Sequence, residues 1–309
     1  MIDDQIADFF YDFESSFLDI VFAILTFIGD ELFYIMFFSV MFWVFNKELA
    51  YELIYVLLIS ISLNGSLKEL VKRTRPTFAG EIGKGVVEAE GYSFPSGHSQ
   101  NSAMVWGFWA LNLKNRKQQL ILASLIILIG FSRIYLVVHF FTDVIAGWII
   151  GLTIAYLIFR AKPRFLEKWH ELSIIVRISS LTVTSLILLS ISLLPDASED
   201  FSKTLSSGAG ILLGIYLGKQ LENKYIDFSD KDGLKSFSVF ITRVLIGILL
   251  VALTYFGLKI LFAEIDDGNI ILRYVRYFSV GFSVVYLAPY LFTLVERKRN
   301  LISKPTEAV

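Results

Sequence analysis

The sequence predicts an all-α fold, a polytopic membrane helical bundle, on three observations. Of its 309 residues, 55% are hydrophobic and the mean hydropathy is +0.63, a load that soluble domains rarely carry. Apolar runs recur at about 17–25 residues, the length that crosses the hydrocarbon core as a helix. The chain is also rich in aromatic residues, with 28 Phe, 14 Tyr and 5 Trp.

Taken in order, the apolar runs place ten helical spans near 14–29, 31–46, 49–67, 97–113, 118–136, 139–159, 173–194, 204–220, 237–258 and 271–294. The opening MIDDQIADFFYDFESS is acidic and lacks a basic leader region, so the first run is expected to be a retained span. The basic stretch RAKPRFLEKWHE contains Pro163 and reads as the clearest break. It divides a six-helix core (1–160) from a four-helix extension (173–294) through a basic cytoplasmic connector (161–172), with a cytoplasmic tail over 295–309. In the eighth span Gly210, Gly214 and Gly218 recur every fourth residue, the pattern of a helix-packing seam. The basic turns around Lys114 to Lys117 and Arg160 to Lys168, with the tail, favour an arrangement with both termini in the cytoplasm. The loop carrying GYSFPSGHSQ then lies on the non-cytoplasmic side.

Composition also excludes. The chain has no cysteine, which removes disulfides, thiolate metal sites and thiol nucleophiles. A net charge of −1 argues against a nucleic-acid partner, which calls for a basic face. No internal repeat is visible, which counts against a transporter built from two related halves.

Three polar stretches interrupt the apolar sequence. In SLKELVKRTRPTF, Lys68 and Arg75 are seven residues apart with Lys72 on the same helical stripe, so three cations point one way at a span end; alone, they read as an interfacial anchor. In GYSFPSGHSQ, Ser96 is placed to cap the helix that follows, Gly97 leaves room for an anion at the helix N-terminus, and His98 stands at its edge. In GFSRIYLVVHFFTDVIAGW, Arg133 ends one span while His139 and Asp143 share a helix face. That i, i+4 spacing lets the carboxylate take one imidazole N–H and leaves the other nitrogen free to attack. Singly, the second is a capped turn and the third an interfacial histidine beside a helix-start acid.

Together, the three resemble the type 2 phosphatidic acid phosphatase superfamily, with its K-x6-RP, PSGH and SR-x5-H-x3-D motifs. Here they read Lys68 to Pro76, Pro95 to His98, and Ser132 to Asp143. The resemblance covers about residues 14–160. It implies an integral membrane phosphatase in which His139 attacks phosphorus, Asp143 orients and polarises it, and His98 protonates the leaving oxygen. Lys68, Arg75, Ser96, Gly97 and Arg133 would cradle the phosphoryl oxygens, with no metal and no cofactor.

The expected partner is the bilayer and a membrane lipid substrate: phosphatidate, phosphatidylglycerol phosphate or a polyprenyl diphosphate. A phosphotransferase using the same phosphohistidine, a lipid-phosphate transporter that kept the pocket, and vanadate-dependent haloperoxidation are the alternatives. The last four helices, which match no motif, are expected to serve packing, substrate presentation or homo-oligomer formation.

Overall fold

The computed structural model describes residues 2–13, 15–78 and 81–299. Twelve α-helices lie among them: α1 (Ile2–Asp12), α2 (Ser16–Phe27), α3 (Glu31–Val40), α4 (Lys47–Val71), α5 (Gly97–Asn112), α6 (Arg116–Tyr135), α7 (Phe141–Glu171), α8 (Ile174–Ser192), α9 (Glu199–Tyr225), α10 (Phe237–Asp266), α11 (Ile270–Phe282) and α12 (Ala288–Lys298). A two-stranded hairpin, Thr77–Phe78 against Glu81–Ile82, accompanies them. All ten apolar segments are helical. Six helices, with α11 and α12 counted as one continuous run, are long and apolar enough to cross a membrane; α2 and the run Glu31–Phe45 qualify only together, around the break at 28–30. At 16 residues α5 is too short to qualify, and polar residues at both ends of α9 dilute its apolar centre.

Two compact units emerge, and they interleave in sequence. The first holds the N-terminal stretch to Tyr34, Tyr55–Glu171 and Asp196–Thr204; the second holds Ile35–Ile54, Leu172–Pro195 and the chain from Leu205 onward. The expected connector at 161–172 is helical up to Glu171, forming the last turns of α7 through Pro163, and the first unit gives way to the second at its end, after Glu171. The part of the expected tail from 300 to 309 lies outside the described residues.

In the first unit α5 is the central helix, buried along Ser99–Gln100 and Ser102–Phe108. It packs parallel to α7 through a glycine seam that sequence reading passed over. A Cβ on Gly147 would meet the Ser96 carbonyl at 2.8 Å, and one on Gly151 would meet the Gln100 carbonyl at 2.5 Å. Only glycine lets the two backbones approach so closely. Ser96 caps α5, its Oγ accepting from the Ser99 amide at 3.5 Å, and the Ser96 amide donates to the Asp143 carbonyl at 3.0 Å. The starts of α5 and α7 are thereby pinned together.

The N-terminus departs from expectation. Helix α1, amphipathic and acidic, packs on the end of the first unit where α6 stops and α7 begins: Asp3 accepts from the Thr142 amide at 3.1 Å and pairs with Arg73 at 2.9 Å. Phe10 lies edge-on to Tyr135 and Phe131. Helix α1 therefore sits at the same end of the first unit as the GYSFPSGHSQ loop. The run at 14–29 reads in the sequence as a span of its own, whereas α2 qualifies only together with Glu31–Phe45.

The second unit is stapled by buried polar groups. Arg243, fully buried, donates to Glu296 at 2.8 Å and to the Trp43 carbonyl at 2.8 Å. Lys47 pairs with buried Glu222 at 2.7 Å. Charges removed from water persist only when paired and hydrogen-bonded in this way. Gly210 and Gly214 of α9 lie against the backbone of α11 at Tyr274 and Phe278, the seam expected from their spacing, while Gly218 meets Val285 less closely, at 3.3 Å.

Candidate active site

Six of the eight residues singled out in the sequence line one cavity of about 310 Å³ in the first unit: Lys68, Arg75, Gly97, His98, Arg133 and His139. The elements deliver them from one end of the bundle. Lys68 comes from the last turn of α4, Gly97 and His98 from the first turn of α5, and Arg133 from the last turn of α6. His139 stands in the short link before α7, where its amide and that of Val138 donate to the Arg133 carbonyl at 3.3 and 3.2 Å. That link is held by a small core of Tyr135, Leu136 and Val138 packed with Phe10, Leu18 and Phe22.

Arg75 arrives by a route that the helical stripe did not foresee. Helix α4 stops at Val71, and Lys72 takes a left-handed backbone with φ +52°. Its side chain is exposed and pairs with Glu69 at 2.9 Å, so Lys72 does not join the cation cluster. Arg75 instead enters from the extended segment behind it and is buried. Its guanidinium donates to the carbonyls of Glu90 at 2.6 Å and Val138 at 2.8 Å, and its Nη1 lies 2.9 Å from His139 Nε2.

That last contact fixes the imidazole tautomer. A guanidinium has donors only, so Nε2 must offer its lone pair, and the ring proton sits on Nδ1, toward Asp143. Burial, then the charges of Arg75, Arg133 and Lys68, hold the His139 imidazole well below the usual histidine range. The ring is neutral near pH 7, with its lone pair on the nitrogen that faces the cavity.

Two predicted residues stand behind the cavity rather than in it. The Ser96 hydroxyl is fully buried and turned to the helix cap, where Ser99 Oγ donates to it at 3.0 Å. Asp143 is also fully buried, with Oδ2 3.5 Å from His139 Nδ1. That carboxylate accepts from the Phe140 amide at 2.9 Å and from Arg73 Nη1 at 2.7 Å. Gly97 leaves the helix N-terminus open: an added Cβ would meet Asn64 Oδ1 at 3.1 Å. The first amides of α5 have no intrahelical carbonyl to reach. Arg133, 4% exposed, donates to the Thr26 hydroxyl and keeps an unpartnered Nε.

Other residues at the site went unread. Asn64 donates to the Pro95 carbonyl at 3.2 Å and to Gln100 Oε1 at 3.0 Å, joining α4 to the start of α5; an amide inside an apolar run was the available signal. Gly29 lets the α2–α3 break press on His98, since a Cβ there would meet its ring at 2.8 Å. Asp30 and Asp200 place carboxylates on the cavity wall. Asp200 lies 61 residues beyond His139 in the chain, and no local pattern marks it. Among the described residues no group of three or more His, Asp or Glu is arranged to hold a metal ion.

Residues 49–167 match the PAP2 superfamily, and residues 206–300 match the transmembrane extension of PAP2 superfamily phosphatases. The chain is 42% identical over 105 residues to phosphatidylglycerophosphatase B of Bacillus subtilis, a match covering 31% of this chain and 49% of that protein. It is 26% identical over 305 residues to sphingosine-1-phosphate phosphatase 1 of Rattus norvegicus, covering 87% of this chain and 70% of the relative. The chain thus spans about half the length of the first of these relatives. Among solved structures, a transmembrane PAP2-type phosphatidylglycerolphosphate phosphatase from Bacillus subtilis aligns at 29% identity with a TM-score of 0.46, over 54% of this chain and 85% of that one.

Proposed function

The chain belongs to the PAP2 superfamily, and on that premise we propose that it is an integral membrane phosphatase hydrolysing lipid phosphates or polyprenyl diphosphates through a phosphohistidine at His139. The observation that carries the proposal is the His139 tautomer: a buried, neutral imidazole whose unprotonated Nε2 faces a cavity lined by Lys68, Arg75 and Arg133. Cations and helix-start amides sit where charge resides on a transferring phosphoryl group.

On substrate binding the Arg75 guanidinium moves a donor from Nε2 onto a phosphoryl oxygen, uncovering the lone pair. Nε2 attacks phosphorus, an N–P bond forms, the P–O bond to the lipid breaks, and His98 gives its proton to the leaving oxygen. Water then attacks the phosphohistidine with His98 as base, the N–P bond breaks, and inorganic phosphate departs. Asp143, whose Oδ2 lies 3.5 Å from Nδ1, stabilises the positive charge that grows on the ring without taking its proton.

The site also has a side. The end of the first unit away from the cavity carries Lys114, Arg116, Lys117, Arg160, Lys162, Arg164 and Lys168, and the positive-inside rule puts that end in the cytoplasm. The cavity and α1 then face the non-cytoplasmic interface, where a lipid headgroup reaches the cations while its tail stays in the bilayer. Tyr55–Glu171, with the N-terminal stretch and Asp196–Thr204, acts as the catalytic unit. The remainder is the extension.

Phosphate release by the purified full-length protein, across phosphatidate, phosphatidylglycerol phosphate, a long-chain-base phosphate and a polyprenyl diphosphate, tests the reading. Release from at least one lipid, undiminished by EDTA, is expected, because the three cations supply the charge a metal would otherwise supply. No release from any lipid would favour a transporter. Transfer to an added acceptor lipid in place of release would favour a phosphotransferase.

A further inference from the structure

His139 does not hold its own carboxylate. The 3.5 Å separation between Nδ1 and Asp143 Oδ2 is beyond hydrogen-bond reach, and both oxygens of Asp143 are engaged elsewhere. Oδ2 accepts from the Phe140 amide at 2.9 Å, and Oδ1 accepts from Arg73 Nη1 at 2.7 Å. The placement of Asp143 is thus set by Arg73 and by the backbone beside His139.

Arg73 is itself clamped. Its Nη1 also donates to Thr142 Oγ1 at 2.8 Å, its Nη2 donates to Asp3 Oδ2 at 2.9 Å, and the guanidinium carbon lies 4.2 Å over the Phe140 ring. Its carbonyl accepts from the Ser93 amide at 2.8 Å, which ties it to the GYSFPSGHSQ loop. Asp3 accepts as well from the Thr142 amide and hydroxyl. Burial pushes the Asp3 carboxyl up, yet the hydrogen bonds from Thr142 and Arg73 outweigh it and hold it below the usual range, so Asp3 meets Arg73 as an anion. A planar guanidinium can bridge two carboxylates in fixed geometry, whereas an ammonium offers a single point charge.

We propose that Arg73 is a positioning residue for the reaction, clamped between Asp3 and Asp143, so that the N-terminal helix is part of the machinery that sets the carboxylate behind His139. This rests on the reading of His139 as nucleophile and Asp143 as its partner. Arg73 does not line the cavity, so it has no contact through which to bind substrate phosphate. Its loss should therefore fall on kcat and spare KM.

The test uses purified full-length protein with the variants Arg73→Gln, Arg73→Lys, Asp3→Asn and Asp143→Asn, assayed on one accepted lipid phosphate. Arg73→Gln should lower kcat by about 30- to 100-fold with KM within about 3-fold, the scale of a small misplacement at the reacting centre. Arg73→Lys should recover part of the loss. Asp3→Asn should lower kcat by roughly 5-fold and add little when combined with Arg73→Gln, since coupled groups are not additive. The proposal is overturned if Arg73→Gln turns over at the wild-type rate while Asp143→Asn is impaired, or if its loss appears in KM alone. Should Arg73→Gln fail to fold, an unchanged kcat in folded Asp3→Asn overturns it equally. A wild-type rate in Asp143→Asn would instead sink the parent reading.

Discussion

At the scale of single residues, the acid role proposed for His98 and the nucleophile role proposed for His139 are separable, and the leaving group tells them apart. An alkoxide leaves poorly, so His98→Ala should lower turnover of an alkyl or lipid phosphate by on the order of 100-fold or more, the usual reach of general acid catalysis. An aryl phosphate, whose phenolate barely needs a proton, should lose far less. Equal losses on both would deny His98 the acid role. The pH profile reports on His139. Its folded pKa is depressed, so the active neutral form persists as pH falls past 6.5, the ordinary histidine value, and is lost only when pH passes through the lower folded value. With an aryl phosphate, whose leaving group barely needs the His98 proton, kcat/KM corrected for the ionisation of the substrate should stay level from pH 7.5 to below 6.5; an acid limb centred at 6.5 would mean that the ring is not shielded as described. The residue types of the cavity were legible in the sequence because each motif pairs a cation, an imidazole or a glycine with a helix end. The inward turn of Ser96 was not, since a cap and a phosphate ligand ask for the same hydroxyl at the same position.

At the scale of elements, the chemistry depends on how closely α7 lies against α5. Gly151 faces the Gln100 carbonyl and the Met104 amide, which an added Cβ would meet at 2.5 and 3.1 Å; backbone atoms cannot rotate away. Gly151→Leu should push α7 outward, carry the His139 link away from His98, and lower kcat on the order of 100-fold, the effect of a displacement of about 1 Å at a reacting centre. Near-wild-type kcat in a folded Gly151→Leu protein would show that the seam does not register the site. This contact was within reach of sequence reading, because glycines four apart in an apolar run mark α7 as they mark α9. The segment 72–76 was not. A stripe of Lys68, Lys72 and Arg75 presumes a continuous helix; Pro76 disfavours a helical Arg75, but nothing marks Lys72, four residues earlier, as the left-handed residue that ends it. Pro163 misled in the opposite direction, since α7 carries it without a break.

At the scale of the whole molecule, the apolar runs revealed the helices, but they could not reveal which of them lie at an interface. Helix α1 has no membrane-length run, and its bonds to Arg73 and Thr142, with Phe10 packed on Tyr135, place it at the cavity end. Because the chain lacks cysteine, single cysteines can map its sides. Gly91 is a poor probe position, with φ +66° and its missing Cβ directed into Asp200. Val86→Cys in the exposed loop and Ile2→Cys in α1 should both react with an impermeant thiol reagent in intact cells, while Lys117→Cys should react only after permeabilisation. Reaction of Lys117→Cys alone in intact cells would invert the topology. The central proposal is phosphoryl transfer through a covalent intermediate on His139. Rapid acid-free quenching of the full-length protein with a labelled aryl phosphate, followed by peptide mapping, tests it most directly. The account predicts an alkali-stable, acid-labile phosphoryl group on His139 that accumulates in His98→Ala and is absent from His139→Ala. Label on another residue, or turnover that persists in His139→Ala, would contradict it.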